Sequence, residues 1–426
     1  MVIQLKPYGL LGEKLGHSFS PRIHSRFGPY EYRLFEVPRE ELGAFLRSGS
    51  FAGLNVTIPY KKEVIPYCET LSPLAERIGS VNTVTVDAEG RLHGYNTDYF
   101  GFCQQLAKAK INVAGEHCVV IGAGGASATV CVALRDLGAR QVTVVTHKEN
   151  TPEKIASLSD AGILVNTSPV GMYPNNGQSP VDLTLLPSLR GVADLIFNPL
   201  KTALLLQAEA LGIPCAGGLT MLTAQAKQAS ELFQGKRIPD SRIPAVTREI
   251  RRQCENILLI GMPGSGKSVV GSRIAKKLQK PFVDTDAEIE LRAGKSIPQI
   301  FEQDGEEAFR RLETQVLADV TARSGCVIAT GGGVVTRKEN HPLLKQNGRV
   351  VFLERPVELL SRKGRPLSSS EEAVKRLYTE RFPLYLALCD LRVRNIRTVH
   401  ETVSHVLRAL GYSPAKHPQN AHKRHR

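Results

Sequence analysis

Residues 261–268 read GMPGSGKS and fit the pattern G-x-x-x-x-G-K-[ST] in full. In such a loop Gly261, Gly264, Ser265 and Gly266 let backbone N–H groups wrap phosphate oxygens. Lys267 would then bind the outer phosphates and the Ser268 hydroxyl would ligate Mg²⁺. An ordinary glycine-rich turn would explain the glycines but not the Lys-Ser pair. A second glycine loop, GAGGAS, occupies 122–127 and follows G-x-G-x-x-[G/A] with Ser127 in the third place. It makes Gly122, Gly124, Gly125 and Ala126 candidates for holding a dinucleotide, although a core-packing glycine turn would read the same. Two phosphate loops on one chain point to two nucleotide sites.

The flanking patterns supply what each loop needs. CVVIG (118–122) reads as a buried strand, and Val130, Leu134 and Leu137 form one helical face ending at Gly138. QVTVVT (141–146) is the next strand, so the first loop sits in a βαβ unit with a parallel sheet. Only one short helix fits between 147 and 162, ahead of the strand candidates ILVN, VADLIFN and GIPCAGG. Residues 218–233 read as a helix returning over the first hundred residues. The segment 235–255 is basic, dotted with proline and poorly periodic, which predicts a linker with one helical, turn-rich end. Beyond it, strand 256–261 leads into the second loop, and Val270, Ile274 and Leu278 mark the helix that follows. A stripe of Phe309, Leu312, Val316 and Val320 predicts another helix, then come strands CVIATGGG and RVVFLERP, with helical patterns from about 371 to 410. The last fourteen residues, 413–426, carry no apolar pattern and read as a basic, mobile tail.

At 426 residues, 42% hydrophobic and 23% charged, the chain suits two or three globular domains. Its 55 Lys and Arg against 41 Asp and Glu, net +14, fit anionic small molecules or nucleic acid. No zinc-finger spacing, basic heptad or basic–aromatic interleaving supports nucleic acid. The eight cysteines, at 68, 103, 118, 131, 215, 254, 326 and 389, form no CxxC and no metal-ligand cluster with histidine. The N-terminus lacks a signal-peptide pattern, and the longest apolar run, 118–134, is broken by glycine, serine and threonine. The expectation is a cytoplasmic protein with no membrane span and no nucleic-acid partner.

From the second loop onward, FVDTD, AFRRLE, TGGG, GRPLS and ERFPLY follow in an order that resembles shikimate kinase over about 155 residues. The resemblance implies that Asp286 accepts hydrogen bonds from substrate hydroxyls and acts as or near the general base, while Asp284 assists Mg²⁺. It makes Arg310 the clamp on the substrate carboxylate, oriented by Glu313 one helical turn on, with Arg381 as a second contact. Gly331, Gly332 and Gly333 would let backbone approach the substrate ring, and Arg365 would close on the transferring phosphate as a lid arginine. The lid reads RPLSSS where the family often continues with leucines.

Upstream, GHSFSP (16–21), NVTIPYK (55–61), SVNT (80–83), GYNTD (94–98), GAGGA, NTSPVGM (166–172) and GGLTMLTAQA (217–226) resemble shikimate dehydrogenase across nearly all of 8–234. Reducing a ring ketone takes a hydride donor on one face and a proton donor at the oxygen. The resemblance assigns Lys61 and Asp98 as the catalytic pair, Ser18, Ser20 and Thr57 to the substrate carboxylate, and Asn82 and Gln225 to ring hydroxyls. His17 and His24 read as structural. The chain departs from the family at Phe197, which replaces a tyrosine before N-P-x-x-T, and in the short 147–163 segment. It also has Thr146-His147-Lys148 where Asn-Arg-Thr usually meets a 2′-phosphate; with no acid at Thr146, NADP is favoured over NAD.

The resulting expectation is an α/β chain with a substrate-binding domain at 1–100, completed by helix 218–234, and a Rossmann-like NADP-binding domain at 101–217. The linker 235–255 follows, then a P-loop NTPase-type kinase domain at 256–412. The resemblance implies NADPH-dependent reduction of 3-dehydroshikimate to shikimate, then ATP- and Mg²⁺-dependent phosphorylation of shikimate to shikimate 3-phosphate, by a monomer or a homodimer. Its rivals are a quinate/shikimate-type dehydrogenase using NAD, and a degenerate dehydrogenase domain that senses ligand beside an active kinase.

Overall fold

The computed structural model describes residues 6–16, 18–360 and 371–412. His17, Arg365 and the 413–426 tail lie outside the described residues. The chain divides into two compact units, Met1–Gln253 and Cys254–Arg426.

The first unit holds two sheets. Strands β1 (Tyr8–Gly12), β2 (Tyr32–Glu36), β3 (Gly53–Val56), β4 (Thr70–Leu71), β5 (Thr83–Val86) and β6 (Leu92–Tyr95) pair in the order β2-β1-β3-β5-β6-β4. β2, β1 and β3 run parallel, whereas β5 is antiparallel to both its neighbours. One face of this sheet is closed by Leu11, Phe51, Leu54, Val56, Tyr60 and Val84. The second sheet comprises β7 (His117–Ile121), β8 (Gln141–Val145), β9 (Ile163–Asn166), β10 (Gly191–Asp194) and β11 (Cys215–Ala216), in the order β11-β10-β9-β7-β8, all parallel. Its central strands are continuously apolar and buried on both faces, as helix-covered parallel strands must be. The strand order reverses between β7 and β9, so the loop after β7 opens at the point where doubly wound sheets bind ligands. The short crossover after β8, one five-residue helix at Pro152–Ala156, leaves β8 as an edge strand.

The helix Leu219–Gln234 returns to the first sheet. The Tyr8 hydroxyl donates to Phe233 O at 2.9 Å, and Tyr30 and Ser230 hydroxyls meet at 2.5 Å. Two sequence expectations fail here. Leu137 stands at the C-cap of the helix Gly125–Asp136, outside its buried face, and is 40% exposed. The segment expected as a linker contains a helix, Arg242–Cys254. It buries Ile243, Val246, Thr247, Ile250 and Cys254, a helical stripe that its dense arginines obscure in the sequence. Thr247 and Thr223 hydroxyls meet at 2.6 Å, Arg26 pairs with Glu249 at 2.5 Å, and Lys227 bridges Glu231 and Asp240. Pro244 sits in the first turn, where a missing N–H breaks no bond.

The second unit contains one parallel sheet of β12 (Asn256–Ile260), β13 (Phe282–Asp284), β14 (Val327–Ala329), β15 (Gly348–Glu354) and β16 (Leu391–Arg394), in the order β13-β14-β12-β15-β16. Apolar clusters cover both faces. β16 interrupts the helical pattern expected over 371–410, separating helices Glu371–Leu388 and Val399–Ala409. Its alternation is readable once placed: Val393 is buried while Arg392 and Arg394 point outward, where both reach Glu354.

Candidate active sites

In the first unit, Lys61 and Asp98 lie 37 positions apart in the chain and meet in the fold. Lys61 follows β3 and donates from Nζ to Asp98 Oδ2 at 2.6 Å, with side chains only 16% and 9% exposed. Asp98 opens the helix Asp98–Ala109, where the helix dipole favours a carboxylate. Beside it, Asn82 Oδ1 accepts from Thr97 N at 2.7 Å and Asn82 Nδ2 donates to Thr97 Oγ1 at 3.1 Å. Thr97 Oγ1 in turn donates to Gln225 Oε1 at 3.4 Å, while Gln225 Nε2 donates to Leu222 O. Asn82 and Gln225 are thus joined through Thr97, a residue to which the sequence motifs assign no role. The Ser18 and Ser20 hydroxyls lie 3.2 Å apart, and Thr57 stands just beyond β3, four residues before Lys61.

The glycine loop reaches the same place. A Cβ at Gly125 would lie 2.9 Å from Ser80 Oγ and 3.5 Å from Lys61 Cβ, so only glycine allows this approach. Gly122 has φ +109°, and nothing stands within 4 Å of a Cβ at Gly124. A bare glycine surface at a helix N-terminus, next to a largely buried ammonium, fits a pyrophosphate-bearing dinucleotide. Behind it, Asp194 is buried and accepts from Ile196 N, Thr202 Oγ1 and Asn166 Nδ2 at 3.0, 2.7 and 3.1 Å. Burial pushes its carboxyl up to about 6, against those hydrogen bonds. Asn166 Oδ1 then holds Ser168 through both N–H and hydroxyl, shaping the loop that faces Gly122. Asp194→Ala leaves three buried donors without an acceptor, so urea unfolding of the first unit should show a loss of about 2–4 kcal/mol. A loss under about 1 kcal/mol would mean the network does not hold the loop.

Other sequence candidates take lesser places. Thr146, His147 and Lys148 follow β8, and the latter two are exposed. Thr146 donates from N and Oγ1 to Glu149 Oε2. The Phe197 ring packs 5.8 Å from that of Phe19. His24 is buried, stacked on Tyr32 at 4.0 Å and bonded to Tyr30, and burial pushes its pKa down to about 3, a structural role.

Most of the second unit's described candidates gather in a cleft of about 470 Å³, whose lining does not include Gly261, Ser265 or Asp284. Gly264, Gly266, Lys267, Ser268, Asp286, Arg310, Glu313, Gly331, Gly332, Gly333 and Arg381 all line it. The strand β12 ends at the phosphate loop, and Gly261, Gly264 and Gly266 all have positive φ. Lys267 Nζ donates to the carbonyls of Gly261 and Met262 at 2.9 and 3.0 Å. Asp284 caps the helix Thr285–Ala293 by accepting from Asp286 N at 3.1 Å. Arg310 donates to Glu313 at 2.8 Å and to Glu306 at 3.1 Å, so its guanidinium is fixed from two sides. Burial pushes the Glu313 carboxyl up while Arg310 holds it down. Glu313 Oε1 is buried without a hydrogen-bond partner among the described residues. It and Asp286 Oδ1 converge on Gly331, 2.5 and 2.9 Å from where a Cβ would stand.

Several parts of this cleft were given no role from the sequence. Ile297, Pro298, Phe301 and Phe309 form an apolar wall. Asn395 donates to Ser265 O at 2.7 Å and braces the loop from the far end of the unit. Tyr385 donates to Gly332 O at 2.5 Å, fixing the triple glycine. Among the described residues no cluster of three or more His, Cys, Asp or Glu could hold a metal. Ser268 lines the cleft, whereas Asp284, the cap of the helix Thr285–Ala293, is not among its lining residues; Mg²⁺ takes few protein ligands and completes its shell with phosphates and water. A Cβ at Gly333 would collide with the Arg310 guanidinium, so Arg310 would have to swing away from its contacts with Glu313 and Glu306. Gly333→Ala should therefore raise the KM for the acid substrate about tenfold or more and leave that for ATP within about twofold. Equal shifts in both would refute a role for Gly333 in seating Arg310.

Comparison with known proteins separates the same two units. The model of the shikimate dehydrogenase substrate binding domain matches residues 10–84, and that of shikimate kinase matches 263–411. Shikimate dehydrogenase (NADP(+)) of Clostridium perfringens is 34% identical over 269 residues, covering 58% of this chain and 99% of the relative. That of Clostridium beijerinckii is 37% identical over 248 residues, covering 53% and 91%. Among solved structures, a chorismate mutase/shikimate 5-dehydrogenase fusion protein from Clostridium acetobutylicum aligns with TM-score 0.55 and 35% identity, over 58% of this chain and 98% of that one. Shikimate 5-dehydrogenase from Thermus thermophilus in complex with NADP(H) and shikimate aligns with TM-score 0.52 and 32% identity, over 57% and 99%. With a glycine loop closed on Lys61 in one unit and a phosphate loop facing Arg310 in the other, the chain belongs to the shikimate dehydrogenase family and carries a shikimate kinase domain behind it.

Proposed function

We propose that the chain catalyses two consecutive steps, reducing 3-dehydroshikimate to shikimate with NADPH and then transferring the γ-phosphate of ATP to the 3-hydroxyl that the first step creates. The observation that carries the first half is the Lys61–Asp98 pair lying against the glycine loop. NADPH, when bound, supplies the hydride. Lys61 Nζ stands ready to give a proton to the carbonyl oxygen of the substrate, and Asp98 holds the ammonium in place. Ser18, Ser20 and Thr57 offer hydroxyls to the substrate carboxylate. Asn82 and Gln225, cross-linked through Thr97, offer amides to the ring hydroxyls.

In the second half, Arg310 and Arg381 take the carboxylate, while Asp286 and Glu313 Oε1 accept from ring hydroxyls above Gly331. Asp286 draws the proton from the attacking hydroxyl as it meets the γ-phosphorus, and Lys267 spreads the charge that develops on the phosphoryl oxygens. Mg²⁺, when bound at Ser268 and Asp284, adds charge neutralisation at the phosphates.

The names of the relatives favour NADP over NAD, and an intact Lys61–Asp98 pair argues against a degenerate sensor. None of the eight cysteines is joined in a disulfide, which suits a reducing cytoplasm, and we place the enzyme there. No helix among the described residues is long and apolar enough to cross a membrane. The test supplies 3-dehydroshikimate, NADPH, ATP and Mg²⁺ together and follows absorbance at the nicotinamide band and shikimate 3-phosphate by mass spectrometry. NADPH loss without phosphorylated product would defeat the kinase half; ATP-dependent phosphorylation of added shikimate without NADPH loss would defeat the other.

A further inference from the structure

The chain leaves edge strand β8 at Thr146, and in a doubly wound sheet the end of this strand meets the adenosine ribose of a dinucleotide. A 2′-phosphate there needs hydrogen-bond donors, and Thr146 offers two. Both already end on one oxygen: Thr146 N and Oγ1 donate to Glu149 Oε2 at 3.1 and 2.8 Å. The carboxylate is held there by a fixed turn. Glu149 N donates to Thr146 O at 3.1 Å, Thr151 N donates to Glu149 O at 2.9 Å, and the Asn150 side chain donates to Pro180 O at 2.8 Å. His147 and Lys148 stand exposed on the same turn, so cations and an anion share it.

A carboxylate beside a ribose accepts a hydrogen bond from a 2′-hydroxyl and repels a 2′-phosphate. We propose that Glu149 is the cofactor-discriminating residue of the dehydrogenase unit, occupying the Thr146 donors that a 2′-phosphate would take. NADP(H) then binds by displacing the Glu149 carboxylate toward solvent, with His147 and Lys148 meeting the phosphate in its place. Glu149 thereby narrows the preference for NADP(H) over NAD(H) that these cations create. The two hydrogen bonds from Thr146 also hold the Glu149 carboxyl below the usual carboxylate range. This inference rests on the dehydrogenase reading and adds to it the residue that sets cofactor choice.

The test titrates adenosine 2′,5′-bisphosphate and adenosine 5′-monophosphate into the full chain by calorimetry, with the kinase cleft saturated by a non-hydrolysable ATP analogue. In Glu149→Ala the preference for the bisphosphate should rise about fivefold or more, the scale of one relieved like-charge contact near a surface. Glu149→Gln, which keeps an acceptor for Thr146 but loses the charge, should fall between the wild type and Glu149→Ala. The ratio of KM for NADH to KM for NADPH should rise in parallel. A preference within about twofold of wild type in Glu149→Ala, or equal tightening of both ligands, overturns the proposal. A wild-type chain that binds neither adenosine ligand and oxidises no NADPH overturns the dehydrogenase reading itself, which is a different result.

Discussion

Lys61→Ala is expected to slow NADPH oxidation by about 10²–10⁴-fold, the range for loss of a positioned proton donor, while phosphorylation of supplied shikimate continues at the wild-type rate. The effect is large because the ammonium has a fixed place that alanine leaves empty. Lys61 Nζ is held at 2.6 Å from Asp98 Oδ2 in a largely buried setting, with the glycine loop 3.5 Å from its own Cβ once a methyl is imagined at Gly125. Removing it also leaves Asp98 without its ammonium partner, so part of any loss could come from misfolding. Thermal unfolding followed by circular dichroism separates the two, and NADPH binding measured by fluorescence gives a second check. A variant that folds, binds NADPH and still turns over near the wild-type rate removes Lys61 from the chemistry. Loss of the kinase activity as well would show that the units do not work independently. Asp98→Asn keeps the ammonium but not its counter-charge, and should lower kcat less than Lys61→Ala.

How much of this was readable from sequence depended on whether the partners of a residue are near it in the chain. The phosphate loop is contiguous, so GMPGSGKS places Gly261 through Ser268 without any tertiary knowledge. Arg310 and Glu313 lie one helical turn apart, and the helix Gly305–Ala322 brings them to 2.8 Å. The sheets were legible through their apolar runs, β7, β9, β12 and β15 above all, because strands buried on both faces leave no room for polar alternation. The misses are residues whose meaning comes from another part of the chain. Thr97 matters because Asn82 and Gln225 reach it from 15 and 128 positions away, and Asn395 because it meets Ser265 across 130. The helix Arg242–Cys254 was hidden differently: its buried stripe uses Thr247 and Cys254 beside three aliphatic residues, and four arginines on the rest dominate the composition. Glu149 carries no motif of its own, and only the bend after β8 brings it back onto Thr146.

The second large effect belongs to Lys267→Ala, which should lower the rate of phosphoryl transfer by about 10²–10³-fold and leave NADPH oxidation unchanged. Lys267 is the first residue of the helix Lys267–Leu278 and is only 8% exposed, and its Nζ binds the carbonyls of Gly261 and Met262 at the mouth of the loop. Those carbonyls belong to the segment that would wrap the phosphates, so one ammonium serves both the loop's shape and the developing charge. Two consequences can be told apart. If Lys267 acts on transferring phosphate, kcat falls and the affinity for ADP changes little; if it only shapes the loop, ADP and ATP weaken together. The positive φ of Gly261, Gly264 and Gly266 and the Asn395 bond to Ser265 O hold the loop without Lys267, which favours the first pattern. A Lys267→Ala chain that phosphorylates shikimate at more than about a tenth of the wild-type rate would place the charge stabilisation elsewhere in the cleft. With Lys61→Ala it forms a complementary pair. Mixed in one tube, the two variants should together carry 3-dehydroshikimate to shikimate 3-phosphate far faster than either does alone, because shikimate released by one chain can enter the kinase cleft of the other.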